Sequence, residues 1–147
     1  MKKKVIAAGH ICLDITPIFP GKRVTHLTDI LSPGKLLNVK EADVHTGGSV
    51  ANTGLAMKIL GADVTLMGKI GADAFGDMVR NVLKKYDAEQ GLLITEGEST
   101  SYSVIWQFPG WTVFSYIIPA QIILFARRIF RERLWRKLRC SILDTLL

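Results

Sequence analysis

Residues 47–85 read GGSVANTGLAMKILGADVTLMGKIGADAFGDMVRNVLKK, and the order of glycines, apolar runs and helical spacings in them decides the fold. Gly47 and Gly48 precede Val50–Leu60, where Ala51, Leu55, Ala56, Ile59 and Leu60 recur at helical spacing. Gly61 follows directly and predicts the helix stop. Val64–Met67 predicts a buried strand, and Gly68 to Asp73 a loop. Ala74–Tyr86 then predicts a second amphipathic helix, with Phe75, Met78, Val79, Val82 and Leu83 turned inward.

Upstream, Val5–Ala8 is a short apolar run that ends at Gly9, as a buried parallel strand does. The opening Met1-Lys2-Lys3-Lys4 resembles a signal peptide, but Gly9, His10 and Asp14 interrupt the apolar stretch too soon, so it is read as a first strand. Thr16–Asp29, with two prolines and a glycine, predicts a loop or small excursion. Leu36–His45 alternates loosely, as a half-exposed strand would. Downstream, Leu92–Thr95 and Thr100–Phe108 predict two more strands. Strand, helix, strand, helix, strand in this order predicts an α/β fold with a right-handed parallel sheet.

The chain has 147 residues, 48% of them hydrophobic and 22% charged, which suits one globular domain and excludes a disordered chain. The net charge of +6 is unevenly placed. Up to Gly110 there are 12 Lys+Arg against 11 Asp+Glu, and from Trp111 onward 7 against 2. The basic balance therefore belongs to the tail and gives no support for nucleic-acid binding. Cys12 and Cys140 fit neither a metal spacing nor a disulfide framework, so a reducing cytoplasm is expected. No apolar run reaches membrane-spanning length. His10, His26 and His45 lack metal-ligand spacing and read as structural or solvated.

Two features could carry chemistry. Gly47-Gly48-Ser49-Val50-Ala51-Asn52 lets backbone come close to a ligand and leaves amide donors at a helix start, with Asn52 one turn along. The same string also reads as a plain glycine turn before a helix capped by Ser49. Asp14 lies past the first strand, where open α/β sheets bind ligands, and can accept two hydrogen bonds from a diol. It reads equally as a solvated loop aspartate. Gly68–Gly76 (GKIGADAFG) lacks the spacing of a Walker phosphate loop, so Asp73 is read as a helix cap.

Taken together, the first strand, Asp14 and the quoted stretch resemble the PfkB/ribokinase family of carbohydrate and nucleoside kinases over roughly Lys4 to Gly110. The resemblance implies a ribokinase-like parallel sheet flanked by helices, with a small β lid formed by segments near 16–45 and 100–110. It implies that Asp14, Gly47, Gly48 and Asn52 contact the hydroxyls of a sugar, and that the lid can serve a homodimer. It implies transfer of the γ-phosphate of ATP, with magnesium, in the full-length family. No Gly-Ala-Gly-Asp motif, the family's catalytic segment, occurs in this chain. No catalytic or metal-ligating residue is therefore assigned, and neither ATP nor magnesium is expected to bind well.

The resemblance breaks after Gly110. Read from the third base of the Gly110 codon, the codons of Trp111-Thr112-Val113 permit Met-Asp-Arg, and those up to Phe125 permit Gly-Ala-Asn, both expected in this family. The expectation is that 111–147 is an out-of-frame tail, adds no specific structure, and leaves the fold incomplete at its C-terminus. A non-catalytic sugar-binding or dimerising module is the alternative. A further alternative is membrane-surface binding through Gln121–Arg139, which is apolar on one side and basic on the other, although no membrane partner is expected.

Overall fold

Apolar runs that end in glycine form the body of the molecule. The structure, a computed structural model, describes residues 4–21, 26, 28, 31–109, 114–118 and 141–144. In chain order the elements are β1 (Val5–Gly9), β2 (Cys12–Pro17), β3 (Ala42–Gly47), α1 (Gly48–Ile59), β4 (Val64–Gly71), α2 (Ala74–Lys84), β5 (Leu93–Thr95), β6 (Tyr102–Trp106), β7 (Phe114–Ile118) and β8 (Ser141–Asp144).

Two four-stranded sheets result. The body sheet runs β5-β4-β1-β8 with every neighbour parallel. The predicted parallel set of β1, β4 and β5 is therefore present. The second sheet runs β3-β2-β6-β7, with β2 and β6 parallel and the other two pairs antiparallel. Only His10 and Ile11 separate β1 from β2, so the chain passes from one sheet into the other almost without a connection.

Ile11, Leu13, Val50, Ala51, Leu66, Ile70, Val79 and Leu83 form the continuous core beneath the helices. Phe19, Trp106 and Phe108 form a small aromatic cluster beside the second sheet, with Phe19 and Phe108 centroids 4.4 Å apart. Phe75 of α2 meets Tyr102 of β6 edge-on at 5.0 Å, linking the helix to the second sheet. Gly61 ends α1 with φ +84°, its amide donating to the Lys58 carbonyl.

Several expectations need correction. The strand expected over Leu36–His45 begins only at Ala42, while Asp14 lies within β2 rather than in a loop. β5 is an edge strand with Leu93 and Ile94 exposed, not buried on both faces. In α1 the buried residues are Val50, Ala51 and Gly54, whereas Ile59 is 66% and Leu60 85% exposed. Small residues face inward there because the helix lies close on β4: a Cβ on Gly54 would come within 2.5 Å of the Leu66 side chain. Met78 of α2 is 46% exposed, one position away from fully buried Val79.

The expectation that the tail adds no structure is also corrected. β7 pairs with β6, and β8 pairs with β1, Val5 opposite Ser141. Both strands satisfy backbone groups that an open sheet edge would leave unpaired. The amphipathic reading of Gln121–Arg139 lies outside the described residues.

Candidate functional site

The site forms where the two sheets and the start of α1 meet. Gly9, at φ +145°, turns the chain out of β1, and Asp14 is the third residue of β2. β3 returns alongside β2 with Cys12 opposite Gly47 and Asp14 opposite His45, so β3 delivers the paired glycines to the Asp14 side chain.

Each glycine has its own reason. A Cβ on Gly47 would overlap the carboxylate of Asp14, so that carboxylate lies across bare glycine backbone. Gly48 has φ +86°, and a Cβ there would sit 2.5 Å from the His10 carbonyl oxygen. That carbonyl accepts from the Val50 amide at 3.1 Å, which fixes the first turn of α1 to the β1–β2 junction. The N-cap of α1 is Gly47, with no side-chain capping hydrogen bond. Ser49 therefore lies inside the helix and does not cap it. The positive end of α1 is open beside a carboxylate.

Of the four expected residues, Asp14 and Gly47 thus meet directly, and Gly48 follows against the His10 backbone. Asn52 lies four residues after Gly48, on the same side of α1, where it is exposed and makes no hydrogen bond among the described residues.

Three further residues belong to the site. Ser103 of β6 stands opposite Asp14 in the parallel register, and its hydroxyl donates to Asp14 Oδ1. The Cys12 thiol donates to the same oxygen at 3.4 Å. Burial, reinforced by the Asp14 charge, pushes the Cys12 thiol up to about 12, so it remains protonated and remains a donor. His10 is half-buried, and its sheltered Nε2 has no hydrogen-bond partner among the described residues. Burial lowers its pKa and the Asp14 charge only partly opposes that, so the imidazole is neutral near pH 7. The sequence pointed to none of these partnerships. Ser103 is 89 positions from Asp14, and only the β2–β6 register joins them.

Among the described residues, Asp14 Oδ1 has two donors, Oδ2 has none, and no cation pairs with the carboxylate. A carboxylate with one oxygen open can accept from neighbouring hydroxyls of a polyol, and amides at the start of α1 can donate to them.

The glycine-rich stretch from Gly68 to Gly76 is closed instead. Asp73 caps α2, accepting from the Gly76 amide at 2.8 Å, and also accepts from the Thr100 amide at 2.8 Å and hydroxyl at 2.6 Å. The Gly71 amide donates to Thr100 Oγ1 at 2.9 Å, and Lys69 pairs with Glu98 at 2.7 Å. Burial pushes the Asp73 carboxyl up, but the three bonds from Thr100 and Gly76 outweigh it and hold the group below the usual aspartate value. These amides are committed within the chain and do not fit a nucleotide phosphate. The described residues also include no cluster of three metal-ligating side chains.

The family model for pfkB family carbohydrate kinase matches residues 3–108, most of the chain. The chain belongs to the pfkB carbohydrate kinase family. "Probable fructokinase-2" of Arabidopsis thaliana is 27% identical over 105 residues, covering 71% of this chain and 28% of that protein. "Bifunctional protein HldE" of Hydrogenovibrio crunogenus is 34% identical over 84 residues, 57% of this chain and 16% of its own. Among solved structures, ribokinase from Cryptococcus neoformans in complex with ADP superposes with TM-score 0.59 at 22% identity, over 81% of this chain and 35% of that one. Fructokinase with bound ATP from Xylella fastidiosa gives 0.57 at 19%, over 81% and 34%. The pfkB chain described here thus has the ribokinase-like fold and spans about a third or less of the length of these relatives. Among the described residues, no helix is long and apolar enough to cross a membrane.

Proposed function

We propose that this chain carries the sugar-recognition part of a pfkB kinase site and does not transfer phosphate by itself. The observation that carries the reading is the Asp14 carboxylate lying across Gly47 at the uncapped start of α1, with Oδ2 free of donors among the described residues. Asp14 accepts from two neighbouring sugar hydroxyls, the amides after Gly47 and Gly48 donate to sugar oxygens, and Asn52 adds a contact one turn along α1. The sugar kinds named for relatives, fructose and ribose, are the first to test.

Chemistry at the transferred phosphate needs a base, a place for the developing charge and a bound nucleotide. The glycine-rich stretch from Gly68 to Gly76 is closed by Asp73 and Thr100, and the family's Gly-Ala-Gly-Asp segment is absent from the sequence.

Titration calorimetry with D-fructose and D-ribose tests this reading. Asp14→Ala and Asn52→Ala should each weaken binding several-fold, by about 1–3 kcal/mol for an unpaired buried polar group. Unchanged affinity in both variants would place the site elsewhere. Purified chain with ATP, magnesium and sugar should show no turnover above background; repeated turnover traced to this chain would refute the second half of the proposal.

A second reading rests on the lid, where Ile18, Val44 and Ile117 are exposed apolar residues. Pairing of two lids would cover them. Sedimentation that stays monomeric at high concentration would exclude it.

A further inference from the structure

We infer that Ser103 is the positioning residue of this site, a β6 hydroxyl that fixes the Asp14 carboxylate so that Oδ2 faces the ligand. The inference rests on the sugar reading above and adds a residue to it.

β2 and β6 are parallel neighbours in register, so Asp14 and Ser103 project to the same side of the second sheet. Ser103 is buried, and its hydroxyl donates to Oδ1. Cys12, two residues before Asp14 on the same side of β2, adds a weaker thiol donor to the same oxygen. Bare Gly47 backbone lies beneath the carboxylate. Turning Asp14 about its Cα–Cβ bond would break both donations and leave a buried hydroxyl unpaired. A hydroxyl is a stronger donor than a thiol, so Ser103 holds the carboxylate more firmly than Cys12 can.

Ser103 is itself held in place. Thr100, three residues earlier, is tied to Asp73 through its amide and hydroxyl and to the Gly71 amide. The Ser101 carbonyl accepts from the Leu13 amide at 3.0 Å. The strand carrying Ser103 is therefore fixed to the body loop on one side and to β2 on the other. Its hydroxyl is in place before any ligand arrives, which is the condition for preorganised recognition.

The test uses the full chain with Ser103→Ala and Ser103→Thr. Without ligand, three-bond couplings from the Asp14 Cγ to its own amide nitrogen and carbonyl carbon report the side-chain rotamer. One rotamer is expected in wild type and in Ser103→Thr, and averaging over more than one in Ser103→Ala, with the α1 and α2 amide shifts unchanged. An unaltered single rotamer in Ser103→Ala overturns the inference, whether or not any sugar binds. With D-fructose or D-ribose, Ser103→Ala should bind roughly three- to tenfold more weakly, as expected for one lost hydrogen bond, and Ser103→Thr should restore affinity. If Asp14→Ala loses the sugar while Ser103→Ala keeps full affinity, the inference falls and the sugar reading stands. If wild type takes neither sugar, the sugar reading falls and the couplings still decide the role of Ser103.

Discussion

A methyl group added at Gly47 would land on the Asp14 carboxylate, whereas one at Gly48 would meet a backbone carbonyl at a positive φ. A side chain can rotate away and a carbonyl cannot. Gly47→Ala should therefore turn Asp14 away from Ser103 and cost sugar affinity, more than about tenfold, together with about 1–3 kcal/mol of stability from the hydroxyl left unpaired. Gly48→Ala should cost about 1–3 kcal/mol of stability, the range for a strained backbone position. Urea melts beside calorimetry check both, and a Gly47→Ala chain that keeps full sugar affinity would contradict the assignment. Asp73 offers a pH-dependent counterpart. Its folded-state carboxyl lies below the ordinary value, so its stabilisation is present above about pH 4 and fades as the pH falls through the folded value. Asp73→Asn keeps one acceptor for Gly76 but gives up the oxygen that takes the Thr100 amide. It should be about 1–2 kcal/mol less stable at pH 7, with the gap closing in acid. A gap that is undiminished at pH 3 would show that the carboxylate charge is not involved.

At the scale of elements, the two helices carry their stability on different residues. In α2, Val79 and Leu83 are fully buried, so Leu83→Ala should cost about 2–5 kcal/mol in thermal or urea melts. In α1 the large residues at the C-terminal end face outward. Leu60→Lys should stay within about 0.5 kcal/mol of wild type and reduce association. A large loss there would mean that the end of α1 is covered in solution. The sequence made both helices and three body strands legible, because glycines and apolar runs mark them locally. It misplaced the inward face of α1 because apolar residues stand on more than one side of that helix, and the close approach to Leu66 selects the small ones. The site was half legible. The Gly47–Gly48 pair and Asp14 are local signals, but the partnership of Asp14 with Ser103 depends on a strand register across 89 positions, and no local pattern encodes that.

For the whole molecule, the outer edge of β1 is covered by β8. Removing residues 141–147 should expose that edge and raise self-association, because an unpaired parallel edge is a template for other chains. Analytical ultracentrifugation of the shortened and full chains at matched concentration checks this, and identical sedimentation would show that the β8 pairing has no protective role.

The Cys12 thiol, sealed at the junction of the two sheets and protonated up to about pH 12, has a practical consequence. Alkylating reagents attack thiolates, so in the folded molecule Cys12 is chemically silent near neutral pH. It reacts only when β2 separates from β3 and β6. The rate at which mass spectrometry finds Cys12 alkylated therefore serves as a clock for opening of the molecule, started by nothing but added reagent. Sugar that closes around Asp14 should slow that clock.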